Sequence, residues 1–304
     1  MAIINSIVMG KARGSIGNAT LAIVGGDTIA RQKISKGTGG GVVRSFPQMV
    51  RRVQWGNLVN IWQLFNGNDR PSFQTRPARV SDFNAFMQAN LASGIGGNGV
   101  AVFLSKEEAR QGAAVAAPYK VTEGDLPTID NAVSGTNGEI STDISLGSLT
   151  ISESTTLGAF SRAVISNNPD RFANGDQITV FVATQTTNSV TGLPYVAMQT
   201  AKIKLDVSDN ETLLEEFDPD GMYFAVTPGT DKLGMSAAVN GAVVYIHSRK
   251  EQGVVRVSSQ RFIATNTLLN NYETNVKRNE AIISYGGKLS GFYLDPDSAA
   301  IQTV

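Results

Sequence analysis

The sequence predicts a mainly β protein of the α+β class: an N-terminal β-hairpin, then amphipathic helices, then a β-sandwich or barrel-like region. Three observations predict it. Two β-type runs flank Gly25-Gly26-Asp27 near the start of the chain. Apolar residues recur at helical spacing over 50–65 and again over 83–91. From about residue 117, short runs such as DQITVFVATQT and PYVAMQTAKIKLD are separated by Gly, Asn, Asp and Pro, which is the pattern of successive strands and turns.

The hairpin is read from TLAIVGGDTIARQKIS, where the glycines tolerate the positive φ of a tight turn. Just upstream, Gly14 and Gly17 bracket Ser15-Ile16, a spacing that suits a bend or the close approach of another backbone. GTGGG at 37–41 is a flexible joint, because it lacks the GK[ST] of a phosphate loop. Ser45-Phe46-Pro47-Gln48 reads as a capping box. It opens a helix expected over about 46–66, with Val50, Val53, Leu58, Ile61, Trp62 and Phe65 on one broad apolar face. After Pro71 and Pro77, Ser81 opens a second helix, in which Phe83, Phe86, Met87 and Leu91 share a face. A strand, VAVFLS, and a short capped turn from Ser105 to Glu108 follow.

Beyond that point PYKVTEG, EISTDISLGSLTI, AFSRAVIS, the two longer runs above, MYFAVTP, SAAVNGAVVYIHSRK and VVRVSSQRFIA are all expected as strands. ETLLEEF is expected as a helical turn between two halves. Near the C-terminus, Leu268, Leu269, Tyr272, Val276 and Ile282 predict a helix that Gly286-Gly287 ends. The domain reading is an arm over 1–44, a helical segment over 45–115 and a β-rich domain over 116–304, with a weaker break near 210.

Composition excludes several kinds of chemistry. The absence of cysteine removes disulfides, thiolate metal sites and a cysteine nucleophile. A single histidine, His247, leaves little room for zinc sites or histidine-based triads. No apolar run reaches the ~18 residues of a membrane-spanning helix, and the opening MAIINSIVMGKARG lacks the pattern of a secretory leader. No cofactor, metal or catalytic residue is expected, and the chain is not read as an enzyme. A charged fraction of only 17% gives a surface that is polar but weakly charged. The net charge of zero hides an asymmetry: residues 1–90 carry 11 basic and 3 acidic residues, and the remaining 214 carry 15 and 23. Such ends can steer subunits into one orientation.

Four stretches invite a functional reading. Gly94 to Gly99 matches GxGxxG, but a helix precedes it and a strand follows, the reverse of a nucleotide-binding turn. Asp218-Pro219-Asp220-Gly221, after Glu215 and Glu216, is an acidic turn; the proline and the following MYFAV break the alternation that calcium requires. His247, within VVYIHSRK, has no accompanying Ser-Asp motif and reads as structural or exposed. The basic residues Lys11, Arg13, Arg31, Lys33, Lys36, Arg44, Arg51 and Arg52 suit an acidic protein surface or, alternatively, nucleic-acid phosphates. The candidate subunit-interface residues are Arg13, Ile16, Gly17, Leu21, Ile23, Ile29, Arg31 and Lys33, because a glycine-flanked hairpin can extend a neighbour's sheet. Trp55 and Trp62 are candidate core or interface anchors.

Together, GSIGNATLAIVGG, TIARQKIS, FPQMVRRVQWGNLV, DFNAFMQANL, PYKVTEGDLPTI, GDQITVFVATQ, VSSQRFIATN and YGG resemble a large family of proteins encoded in Bacteroidetes genomes and in their phages. Where that family reads Trp-Lys-Gly in the first hairpin, this chain reads Gly25-Gly26-Asp27. The resemblance implies a structural virion protein of a short-tailed, crAss-like phage, assembled in the bacterial cytoplasm. The implied role is a ring of the neck or tail barrel, with an auxiliary capsid protein and a nucleic-acid-binding module as alternatives. The implied partners are other copies of the chain and neighbouring neck, tail or capsid proteins. Incidental DNA contact through the basic N-terminal region is compatible with this, and no membrane is involved.

Overall fold

A computed structural model describes residues 2–4, 14–16, 19–24, 27–32, 46–65, 70–91, 101–134 and 138–286. It divides into two compact units. One comprises residues 1–44 with 77–81, and the other residues 45–76 with 82–304. No barrel forms among the described residues, and the protein is α+β with strand predominating.

The small unit is an antiparallel sheet. Its strands β1 (Ala2–Ile4), β2 (Gly14–Ile16), β3 (Ala19–Val24) and β4 (Asp27–Gln32) lie in the order β1-β4-β3-β2. Val24 pairs with Asp27, so the hairpin expected around Gly25-Gly26 is present. The chain adds a third and a fourth strand on its two sides.

The large unit is built in layers on one sheet. Strands β8 (Gln177–Thr187), β9 (Pro194–Lys204), β12 (Gly241–Glu251) and β13 (Val254–Val257) lie in the order β13-β12-β8-β9, and the short β15 (Ile263–Ala264) also pairs with β12. Alternation along these strands decides what each face meets. On one face Ile178, Val180, Val182, Ile203, Val243 and Tyr245 are buried. They pack against a second sheet and against α4 (Leu157–Asn167), through Ile140, Ile144, Leu233, Phe160 and Val164. That second sheet has the order β10-β11-β7-β6, from β6 (Asn131–Ser134), β7 (Glu139–Ser145), β10 (Ala225–Val226) and β11 (Lys232–Gly234). Gly241 permits the close pairing of β12 with β8, since a Cβ there would lie 1.9 Å from the Ala183 carbonyl.

The opposite face of the central sheet receives α1 (Phe46–Leu64), and α2 (Asp82–Leu91) packs against α1 and β5. Phe65, just past α1, meets Phe181 edge-on at 5.2 Å and stacks near Phe262. Trp62 and Phe86 extend the aromatic cluster between the two helices. Residues 45–115 and 116–304 therefore share one unit, and the helices form a layer over the sheet.

Between the helices and the sheet runs Ala113–Ala117, buried and extended but outside any strand ladder. Its backbone is matched by side-chain amides. Asn57 on α1 donates to the Val115 carbonyl at 3.0 Å and accepts the Val115 N–H at 2.8 Å. Asn60 donates to the Ala113 carbonyl. Gln185 on β8 accepts from Ala116 and donates to the Ala114 carbonyl. Asn266 donates to the Ala116 carbonyl. Past the run, Asn90 on α2 brackets Lys120, which starts β5 (Lys120–Thr122), the partner of β14 (Gln260–Arg261).

Three expectations need correction. AFSRAVIS is helix, as part of α4, and not strand. Thr156 caps it through the Ala159 N–H, and Leu157, Phe160, Ser161 and Val164 bury one helical stripe. The apolar VAVFLS is buried over Val102–Leu104 but joins no strand ladder among the described residues. Its Phe103 N–H bonds the Tyr272 carbonyl. The C-terminal helix is two pieces, α5 (Leu269–Tyr272) and α6 (Asn275–Ser284), because Thr274 starts a fresh cap. Gly286, at φ +73°, follows α6 as a left-handed terminator.

Other signals survive intact. The Ser105–Glu108 capping box opens α3 (Lys106–Arg110), and the Glu108 carboxylate also binds Lys277 of α6 at 2.8 Å. A helical turn occupies Leu214–Glu216. The paired cap at Ser45–Gln48 and the loops 37–41 and 94–99 lie outside the described residues.

The amide clamp makes a direct prediction. Asn57→Ala removes three hydrogen bonds and strands a buried N–H and C=O at Val115. Urea denaturation is expected to show a loss of about 3 kcal/mol. Replacing the exposed Gln63 of the same helix by Ala should change stability by less than about 0.5 kcal/mol. Equal stability of the two variants would remove the clamp from the account of the fold.

Candidate functional site

The sequence-predicted interface lies in the small unit, and its register sorts the candidates. Leu21 and Thr28 fall on one face and are buried, with Ile23 half-buried beside them. Ile29 and Arg31 fall on the other, half-buried and exposed respectively. Leu21 is thus buried within the single chain. Ile16 occupies the outer strand β2, opposite Ala19. Arg13, Gly17 and Lys33 lie outside the described residues, as do Lys11, Lys36 and Arg44. The features left for contact are the two three-residue outer strands, β1 and β2, and the Arg31 face.

The two tryptophans separate. Trp62 is partly buried, 5.5 Å from Phe83 and 5.3 Å from Phe86, and belongs to the core. Trp55 is 44% exposed and touches Phe83 edge-on. Arg51 and Arg52, one turn earlier on α1, are exposed as well.

Sequence reasoning left His247 open between a structural and an exposed role. It is fully buried on β12, on the same face as Tyr245, opposite Ile178. Its Nε2 lies 2.8 Å from Asp176 Oδ2. Arg249, two residues along, donates from Nε to Oδ1 and from Nη2 to Oδ2, both at 2.7 Å. The Ala173 N–H completes the ring of donors around Asp176. Burial would push the Asp176 carboxyl up, but the Arg249 and His247 bonds outweigh it and hold it down at about 2. A His–Asp pair suggests a triad. Here, however, Nδ1 has no hydrogen-bond partner, and the Phe172 ring packs 4.6 Å away. The nearby Ser258 hydroxyl takes the His247 backbone N–H. The cluster ties the start of β8 to β12.

The acidic turn is likewise structural at its centre. Asp218 is 2% exposed, and its carboxylate accepts the backbone N–H groups of Met222, Tyr223 and Phe224 at 2.6–3.0 Å. Asp220, Glu215 and Glu216 stay exposed around it. A second charged tie, Arg171 to Asp143 at 2.7 Å, joins the segment before β8 to β7. Among the described residues no group of three or more His, Asp or Glu side chains is arranged to hold a metal ion, and no helix is long and apolar enough to cross a membrane.

The register held signals for two of these roles. Asn57 interrupts the apolar stripe of α1 between Val53 and Ile61, so it had to point inward. His247 continues the inward alternation of Val243 and Tyr245. Their partners, Val115 and Asp176, lie 58 and 71 residues away, with no local mark.

Comparison with protein-family models, curated proteins and solved structures gives no match to this chain.

Asp176 makes a pH prediction. Its carboxyl titrates at about 2 in the folded state, against 3.8 ordinarily. The stabilisation is therefore present above about pH 4 and is lost as pH falls toward 2. It amounts to roughly 2 kcal/mol. Asp176→Asn should be less stable at pH 7 and lose less stability between pH 5 and 2. Parallel urea curves for the two proteins across that range would contradict it.

Proposed function

We propose that this chain is a structural virion protein of a bacteriophage, one that joins copies of itself into a ring of the neck or tail barrel. The observation that carries the reading is the separate N-terminal β unit. It comprises 49 residues counted from its two stretches, 1–44 and 77–81, and its outer strands are three residues long. A sheet this small buries little surface on its own, and with no cysteine in the chain a disulfide cannot brace it. Open strands on both sides are the elements through which one chain adds to another's sheet by main-chain hydrogen bonds.

Two further features support the reading. The surplus of eight positive charges in residues 1–90 is balanced by an equal negative surplus in the rest, which favours head-to-tail contact. A head-to-tail contact closes into a ring when its rotation fits. The family resemblance points to phage virions, with assembly in the bacterial cytoplasm. In the large unit, the buried side chains of Asp176, His247 and Asp218 are engaged in structural bonds.

Native mass spectrometry of the full chain beside one lacking residues 1–44 tests the proposal. A discrete oligomer is expected from the first, falling to monomer in the second. A full chain that stays monomeric at high concentration, and fails to bind its virion neighbours, would overturn it. Quantitative mass spectrometry of virions fixes the position: a ring requires about a dozen copies, and a capsid lattice requires hundreds. DNA affinity that falls steeply with salt would instead favour nucleic-acid binding through Arg31, Arg51 and Arg52.

A further inference from the structure

The exposed side of α1 carries Arg51, Arg52 and Trp55 within about one turn. At 100° per residue, Trp55 projects between the two arginines around the helix axis. Trp55 is 44% exposed on a helix whose other face is buried, and tryptophan is the residue type most enriched among interface anchors. Neither arginine makes an ion pair among the described residues. The large unit thus presents an aromatic side chain flanked by two unspent cations.

The same unit holds a complementary surface. A groove of about 270 Å³ opens between the segment before α4 and the acidic turn. Ile151, Leu214 and Phe224 form its apolar lining, while Glu153, Glu215 and Asp220 stand exposed on its rim. These three carboxylates form no ion pair among the described residues. Asp218, beneath them, is turned inward to backbone N–H groups, so the rim acids alone face outward.

Placement matters as much as chemistry. α1 belongs to the layer on the Phe181 face of the central sheet. Leu214 and Phe224 belong to the core on the Tyr245 face. With the sheet between them, the two surfaces cannot meet within one chain. They can meet between copies, and such a contact is heterologous, propagating in one direction.

We propose that Trp55 of one copy seats in the groove of the next, with Arg51 and Arg52 pairing with Glu153, Glu215 and Asp220. The occupant is a second copy because both halves of the match, aromatic with cations and apolar groove with anions, are on this chain. A buried aromatic anchor ringed by charge pairs is the usual energetic centre of an interface. The inference rests on the self-assembly reading and adds to it a body-to-body contact. That contact acts together with the N-terminal sheet, so that loss of either weakens the ring.

Charge reversal in the full-length chain tests it, read by sedimentation equilibrium. Arg51→Glu with Arg52→Glu should weaken self-association by about tenfold or more, and so should Glu153→Lys with Glu215→Lys. A chain carrying all four substitutions restores complementarity and should recover the wild-type association. Misfolding can imitate the loss but not that recovery. Association unchanged in either pair, or no recovery in the combined chain, overturns the body-to-body contact alone, provided the wild-type chain assembles. A wild-type chain that remains monomeric overturns this contact and the self-assembly reading together.

Discussion

The fold depends on a run of backbone that is buried without belonging to a sheet. Ala113–Ala117 passes between the helical layer and the central sheet with every residue nearly inaccessible. Its side chains are small, so the backbone itself fills the space. A buried peptide group without a partner costs a few kcal/mol, and five in succession would exceed the stability of a domain. The chain meets this demand from several sides: α1 supplies Asn57 and Asn60, β8 supplies Gln185, the C-terminal region supplies Asn266, and the Pro194 and Glu108 carbonyls accept the Ala114 and Ala113 N–H groups. Asn57 and Gln185 both donate to the run and accept from it, as a neighbouring strand would, while Asn60 and Asn266 donate to its carbonyls. The helices are thereby registered against the sheet by directional bonds as well as by aromatic packing.

The same economy governs the charged interior. Asp176, Asp218 and Glu108 each collect several donors: Asp176 ties the start of β8 to Arg249 of β12, Asp218 closes its own turn on backbone N–H groups, and Glu108 ties α3 to α6. A buried carboxylate holds its position only when its lone pairs are filled. The cost is specificity in the opposite sense: these groups cannot also serve a ligand. Among the described residues, Arg51 and Arg52 beside Trp55 on one side of the sheet, and the rim acids on the other, form no ion pair.

Legibility in the sequence followed locality. The hairpin about Gly25-Gly26, α1, α2, the Ser105 capping box and the long strands β8, β9 and β12 were readable, because each is specified by neighbours within a few residues. AFSRAVIS was misread because Ala159, Ala163, Val164 and Ile165 suit either periodicity; Thr156, just outside the run, decides for helix through its cap. VAVFLS was misread for another reason. Burial was legible, but the sequence does not say whether a buried extended run finds a strand or a set of side chains. The inward register of Asn57 and His247 was readable in principle, and their distant partners were not. A β-former in a hairpin has two faces, and only the assembled register shows that Leu21 lies on the buried one.

The two proposed contacts differ in kind, and the difference bears on assembly. Strand addition by β1 or β2 is bonded through the main chain and is therefore tolerant of side-chain identity. It confers adhesion but little discrimination, and open edges of this type invite irregular aggregation unless kept short. Three residues is short. A charge-ringed aromatic anchor is the opposite: it depends on side-chain identity, discriminates strongly, fixes orientation and speeds encounter. A chain that carried only edges would risk stacking without closure. One that carried only the anchor would dissociate at low concentration. Joined in one molecule, the anchor sets the angle at which neighbours meet and the edges consolidate it. A repeated fixed angle is what turns head-to-tail contact into a closed ring instead of a fibre.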